Sequence, residues 1–154
     1  MNTRTLLLTA GIVACVGLGG AVAQTQIHPA VKARQSVMTL YANNLGQLGA
    51  MAKGDVEYNA DAASAAATNL VLLTQMDQST LWPQGTDNAS TDGTRALPAM
   101  WENFPDVMAK GQALGAAALE MQSAAGTDLD SLRGAMGALG GACGGCHKAY
   151  RAAE

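Results

Sequence analysis

The sequence predicts an all-α protein folded as an antiparallel four-helix bundle that runs up-down-up-down. Two observations carry this prediction. Alanine, leucine, methionine and glutamine are abundant, whereas runs of β-branched residues and two-residue hairpin turns are scarce. Apolar residues also recur at steps of three or four positions in four separate segments, which is the pattern of helices that bury one face.

The first 23 residues have the organisation of a secretory signal peptide. A basic start at Arg4 leads into an apolar run that ends in Ala21-Val22-Ala23, so we expect cleavage before Gln24. This run is too short and too rich in glycine for a membrane span. The alternative is a lipoprotein signal with Cys15 as the lipidated residue, but it would leave the apolar residues 16–23 behind the anchor.

Residues 24–154 are expected to form one domain, because this length supports a single core and is too short to divide. Without Arg4 the chain has eight Lys or Arg against twelve Asp or Glu, so its net charge is −4. A negative chain is a poor partner for nucleic acid, and we expect none. Export would place the protein in an oxidising compartment.

The first two helices are predicted from their apolar spacing and their boundaries. The first runs from Pro29 or Ala30 to Met51 and is broken by Gly54. The second opens near Asn59 or Asp61 and is expected to continue to about Leu81, ahead of Pro83. Residues 82–98 are rich in Pro, Gly, Thr, Asn and Asp, and this long loop is predicted to touch a cofactor.

The last two helices follow the loop. The third starts at Pro98 or, after a kink, at Pro105, and ends before Gly126. The fourth begins at Thr127 or Asp128, where Thr127-Asp128-Leu129-Asp130 is similar to a capping box. Its apolar face continues into Cys143, Cys146 and Tyr150, so the two thiols are predicted to lie on the core side.

The run Cys143-Gly144-Gly145-Cys146-His147 has the spacing of a covalent haem c site. Two thiols three positions apart can add to the two vinyl groups of one haem, and the next histidine is placed to bind the iron. A structural zinc site needs more ligands than the exported chain supplies here, and a thioredoxin-like dithiol belongs in a βαβ setting. A simple disulfide between the two cysteines remains possible in an oxidising compartment.

The late position of this motif bears on the sixth iron ligand. Few residues follow His147, so a protein ligand on the other face of the iron has to come from upstream. Most of the methionines are expected to fill the core, which flexible thioethers do well. Met38 is the candidate that stands apart. His28 lies beside Pro29 near the new N-terminus, where we expect a solvated role.

Several segments together resemble the class II c-type cytochromes, the cytochrome c′ family. They are Arg34-Gln35-Ser36-Val37-Met38, Trp82-Pro83-Gln84-Gly85, Thr94-Arg95-Ala96-Leu97-Pro98 with Trp101, and the haem motif followed by Lys148-Ala149-Tyr150-Arg151. The resemblance implies a periplasmic bundle, a homodimer formed through the first two helices, and one high-spin, five-coordinate haem c. It also implies electron transfer to a redox partner protein and binding of NO or CO, without enzymatic turnover.

The same resemblance assigns roles to individual residues. It implies that Cys143 and Cys146 hold the haem, that His147 is the proximal ligand, and that Arg151 lies beside that histidine. Arg34 and Gln35, with Thr94 and Arg95 from the loop, fall where the family contacts the haem edge and propionates. Met38 falls at the distal position. We expect it to block the vacant iron site without binding, and the alternative is a low-spin electron carrier in which Met38 is the sixth ligand.

Overall fold

The structure, a computed structural model, describes residues 26–153, so the predicted signal peptide and Cys15 lie outside the described residues. Four long helices make up most of this part: α1 (Pro29–Lys53), α2 (Ala60–Gln75), α4 (Phe104–Ala125) and α5 (Leu129–Tyr150). A short helix, α3 (Ala99–Glu102), precedes α4, and a 3-10 turn (Ser79–Leu81) follows α2.

The four long helices form a closed ring of packed neighbours. α1 packs against α2, α2 against α4, α4 against α5, and α5 returns to α1. Within residues 26–153, the extended pairing is confined to an isolated bridge between Ala96 and Arg151. The all-α four-helix bundle predicted from the sequence is therefore confirmed.

The helix ends follow local signals. The imidazole of His28 accepts a hydrogen bond from the Ala30 amide at 3.2 Å and caps α1, which Gly54 closes with a φ of 82°. At α5 the predicted box is shifted by one residue, because Asp128 is the cap and accepts from the Ser131 amide at 2.7 Å. His28 is exposed, as expected for a solvated residue.

The predicted end of α2 was wrong. The helix stops at Gln75, and Met76 is extended with φ −65° and ψ 136°. The carboxylate of Asp77 then accepts a hydrogen bond from the Ser79 amide at 2.9 Å and starts the 3-10 turn. A short acidic side chain that binds a backbone amide two positions on competes with the helix, and this interaction replaces the last predicted turn.

Both proposed starts of the third helix occur. Pro98 caps the short α3, and Asn103 leaves the helical region with φ −126° and ψ 53°. α4 then begins with Pro105 in its first turn, where a missing amide hydrogen costs no helical bond. α4 ends at Ala125, in agreement with the predicted stop before Gly126.

Large apolar side chains of the core are fully buried at the end of the bundle far from the Cys-x-x-Cys-His motif. Leu48, Met121 and Leu132 are fully buried there. The Met136 side chain of α5 packs against α1 at Gly49, where an added Cβ would lie 3.8 Å from the Met136 Cε. Arg133 on α5 ties the pair by donating from Nε to the Ala52 carbonyl of α1 at 2.8 Å. Among residues 26–153, no helix has the length and apolar character that a membrane crossing requires.

Candidate haem attachment site

Both thiols of the motif lie on one face near the end of α5. Cys143 and Cys146 are three residues apart, half-buried and not joined in a disulfide. Leu139 and Tyr150, on the same side of the helix, are buried in the bundle. A Cβ built on Gly144 or Gly145, between the thiols, would meet no atom within 4 Å, so protein packing does not require these glycines.

The environment of the motif favours neutral groups. Burial raises the pKa of both thiols, and for Cys143 the neighbouring Cys146 adds to the shift. The pKa of His147 is lowered, first by burial and then by the positive charges of Arg151 and Arg95. His147 is therefore held as a neutral imidazole, which is the form that binds a metal ion.

The end of α5 is fastened to α4 beside the motif. The Tyr150 hydroxyl donates a hydrogen bond to Asp106 Oδ2 at 2.6 Å, and Lys110 lies 3.6 Å from the same oxygen. The hydrogen bond to this carboxylate raises the pKa of Tyr150 to about 12. Sequence reasoning placed Tyr150 on the apolar face and missed Asp106, which lies 44 positions away in the chain.

The long loop is fastened to the same end of α5. The Leu97 amide donates to the Tyr150 carbonyl at 3.0 Å, and the Ala152 amide donates to the Arg95 carbonyl at 2.8 Å. The Arg95 guanidinium also donates from Nε to the Ala152 carbonyl at 2.9 Å. The structure thus brings Arg95 and the exposed Arg151 close enough to His147 for both charges to act on it.

The Arg34 side chain of α1 is buried against the long loop and is only 3% exposed. Its Nη1 donates to the Leu81 carbonyl at 3.3 Å and to Thr86 Oγ1 at 2.8 Å, while Nη2 donates to the Thr86 carbonyl and to Thr94 Oγ1 at 2.7 Å. Burial lowers the pKa of Arg34, and the charge of Asp87 partly offsets this. Each terminal nitrogen therefore donates twice within the protein.

Two tryptophans cover the same guanidinium. Its central carbon lies 4.8 Å from the ring centroid of Trp82 and 5.9 Å from that of Trp101, and the two rings meet edge to face. Gln35, the next residue on α1, donates to the Gly93 carbonyl at 2.6 Å. Arg34 and Gln35 of α1 thus both bond to the loop that carries Thr94, and their contact with the haem edge stays a prediction.

Met38 lies one turn after Arg34 on α1 and is 39% exposed. It does not line the cavity of about 770 Å³ that opens between α2 and α4. The α1 residue that reaches this cavity is Tyr41, whose pKa is raised, first by burial, and also by the nearby Cys143. Sequence reasoning missed Tyr41, although its three-residue offset from Met38 on α1 could have indicated it.

These residues fit a covalently bound haem. The two free thiols and the adjacent imidazole supply the attachment and ligand groups, and the cavity that Tyr41 and Trp82 line falls within the range of about 300–1,000 Å³ typical of cofactor and ligand pockets. Fold and site together define a helical-bundle cytochrome of the c type. No cluster of three or more His, Cys, Asp and Glu suited to another metal ion occurs in residues 26–153.

Comparison with known proteins agrees with this class. The family model for cytochrome c′ matches residues 29–151, and the chain belongs to this family. It is 44% identical over 146 residues to cytochrome c-554 of Cereibacter sphaeroides, covering 95% of this chain and 94% of that protein. It is 40% identical over 121 residues to a cytochrome c′ of the same species, covering 79% and 81%.

Solved structures give the same answer. A cytochrome c′ from a Rhodobacter species superposes with a TM-score of 0.79 at 39% identity, covering 81% of this chain and 96% of that chain. The cytochrome c′ of Thermochromatium tepidum superposes with a TM-score of 0.71 at 33% identity, covering 80% and 95%. The cofactor of this protein is haem c, as the motif predicted.

Proposed function

We propose that this chain is a periplasmic cytochrome c′ with one haem c attached through Cys143 and Cys146, and His147 as the axial ligand. When bound, the haem supplies a one-electron couple and an iron that can bind a diatomic gas. The protein serves as an electron carrier and a binder of NO or CO, not as an enzyme. The half-buried thiols and the neutral imidazole of α5 support this assignment.

The residues around the motif hold it in position. Tyr150 fixes the last turn of α5 against Asp106 of α4, and burial, with the charges of Arg151 and Arg95, lowers the pKa of His147. We propose that Gln35, Thr94 and Arg95 lie at the propionate edge of the haem. Arg34 is proposed to hold the loop in place and not to bind a propionate itself, because both of its terminal nitrogens already donate to protein acceptors.

The iron is proposed to be five-coordinate and high-spin, with an open sixth position. The observation that carries this proposal is the cavity that Tyr41 reaches and Met38 does not. Apolar side chains make up much of the cavity wall, among them Val71, Val107 and Leu114. A ligand that needs a hydrogen bond, such as dioxygen, gains little there, whereas NO and CO bind ferrous iron without one.

A second candidate is a low-spin carrier in which Met38 binds the iron. It is favoured by the location of Met38 on the same side of α1 as Arg34 and Tyr41, and by its 39% exposure, which leaves the thioether outside the packed core. This alternative would make the protein an electron carrier whose iron does not bind CO or NO.

Absorption spectra of the matured protein and of Met38→Leu distinguish the two candidates. With a vacant site, both proteins show broad high-spin bands, and both ferrous forms shift on addition of CO. If Met38 is the ligand, the wild type is low-spin and its ferrous spectrum does not change with CO. The substitution then converts it to a high-spin form that binds CO. Mass spectrometry of the same samples gives the haem adduct and tests cleavage after Ala23.

We also propose a homodimer formed through α1 and α2. Leu40 on α1 and Leu72 on α2 are exposed, Leu72 at 58%, and the two helices pack against each other. Exposed apolar side chains on neighbouring helices favour association. Sedimentation velocity is expected to show a dimer that Leu72→Asp disrupts and that Leu119→Asp, a matched change of an exposed leucine on α4, leaves intact. A monomeric wild type would contradict the proposal.

A further inference from the structure

One cluster of polar side chains outside the Cys-x-x-Cys-His motif joins α4 to the last turn of α5. It consists of Asp106 and Lys110 on α4 and of Tyr150 on α5. The Tyr150 hydroxyl donates to Asp106 Oδ2 at 2.6 Å, and Lys110 Nζ lies 3.6 Å from the same oxygen. Since Tyr150 is buried, a side chain fixed in the bundle holds the carboxylate against α5.

The position of Tyr150 in the chain places this cluster beside the motif. Tyr150 follows Cys146 by one helical turn, so the two residues lie on the same side of α5. Burial is the largest cause of the raised pKa of Cys146, the charge of Lys110 opposes this shift, and the charge of Asp106 adds to it. Two charges of opposite sign therefore act on a thiol that is assigned to the haem.

The stability of α4 alone does not require this arrangement. An acidic residue in the first turn of a helix, and an Asp–Lys pair four positions apart, are ordinary stabilising features of helices. Neither feature calls for a bond from another helix. The bond from Tyr150 to Asp106 joins residues 44 positions apart and brings the charge to the end of α5 that carries the motif.

Charges near a haem change its reduction potential. Reduction adds one electron, so a negative charge opposes it and lowers the potential, whereas a positive charge favours it and raises the potential. The side chains of Lys110 and Asp106 are 28% and 42% exposed, so water weakens both fields without removing them.

From this arrangement we propose that Asp106 and Lys110 set the reduction potential of the haem that this chain carries. The carboxylate, which Tyr150 holds against α5, stabilises the oxidised haem, and the ammonium group stabilises the reduced haem. Because the two charges are opposite and adjacent, they partly cancel, and removing either one leaves the other uncompensated. The inference rests on the proposed function, since it requires a haem attached through Cys143 and Cys146.

Redox titration of the haem-loaded protein, followed by its absorption spectrum, tests each charge separately. Asp106→Asn removes the negative charge and keeps an oxygen that can accept from Tyr150, so its potential is expected to rise. Lys110→Gln removes the positive charge and leaves that hydrogen bond in place, so its potential is expected to fall. The double variant is expected to lie between the two single variants.

Asp130→Asn is the matched control. It removes the same charge from an exposed ion pair, since Asp130 lies 3.4 Å from Arg133 in the first turns of α5. At about 1.5 Å per residue, Asp130 lies roughly 24 Å from Cys146 along the helix axis. This distance exceeds the screening length of about 10 Å at about 0.1 M salt, so the potential is expected to equal that of the wild type.

The two single variants decide the outcome. Unchanged potentials in both overturn the inference, and so does a shift of both in the same direction, because a general disturbance of the site has no sign that follows the charge. Urea unfolding of the same proteins measures a purely structural role. A weakened Asp106→Asn with an unmoved potential would assign the cluster to stability alone and overturn the inference.

Failure of the proposed function has a different signature. If the wild type carries no haem on these thiols, or shows no reversible one-electron couple, the proposed function fails and the inference falls with it. If the wild type shows such a couple and neither single variant moves it, the proposed function stands and the inference alone is overturned.

Discussion

Removing the guanidinium of Arg34, which lies on α1 and bonds to the long loop, is expected to destabilise the protein more than any single change within residues 82–98. Arg34→Gln deletes four hydrogen bonds to Leu81, Thr86 and Thr94, together with the contacts of both indole rings. Bonds to a charged donor contribute about 1.5–3 kcal/mol each, but the loss is reduced because a buried cation no longer has to be desolvated. We therefore expect the free energy of unfolding to fall by about 3–5 kcal/mol.

Urea unfolding of the haem-loaded protein, followed by far-UV circular dichroism, measures this change. Arg34→Lys keeps the charge and loses the planar fork, so an intermediate loss is expected. Lys32→Gln, an exposed change on the same helix, should stay within about 0.5 kcal/mol of wild type. Limited proteolysis within residues 82–98 should accelerate only in the Arg34 variants. A loss below about 1 kcal/mol for Arg34→Gln would refute the view that this side chain holds the loop.

Three further outcomes follow from the structure. Leu132→Ala, at a fully buried position, is expected to cost about 2–5 kcal/mol in urea unfolding, and a loss under about 1 kcal/mol would contradict the packing described. The raised pKa of Tyr150, about 12 against an ordinary 10.0, favours the neutral phenol in the folded state, so wild-type stability should be retained below pH 10 and lost as pH rises towards 12. Tyr150→Phe should flatten that loss in pH-dependent thermal melts, and an unchanged slope would show that the bond to Asp106 is not its source. Cys143→Ser should leave the haem attached by one thioether, and Cys143→Ser with Cys146→Ser should abolish the covalent adduct in denaturing mass spectrometry; a persistent adduct in the double variant would exclude these thiols as the attachment points.

The sequence predicted helices well where their ends carry local signals. Pro29 and Gly54 bound α1 within two residues of the prediction, because proline favours a first turn and glycine adopts the left-handed closing conformation. The end of α2 was misjudged because Leu81 continues the apolar spacing. Asp77 overrides that spacing with a local hydrogen bond that periodicity does not register.

The parts of the site that are contiguous in sequence could be predicted, and the contacts that join distant segments could not. Cys143, Cys146 and His147 are contiguous, and their chemistry is readable without the fold. The bond from Arg34 to Thr86 spans 52 positions, and no spacing rule connects residues so far apart. The cavity could not be predicted either, since it depends on how far α2 and α4 separate and not on the pattern of either helix.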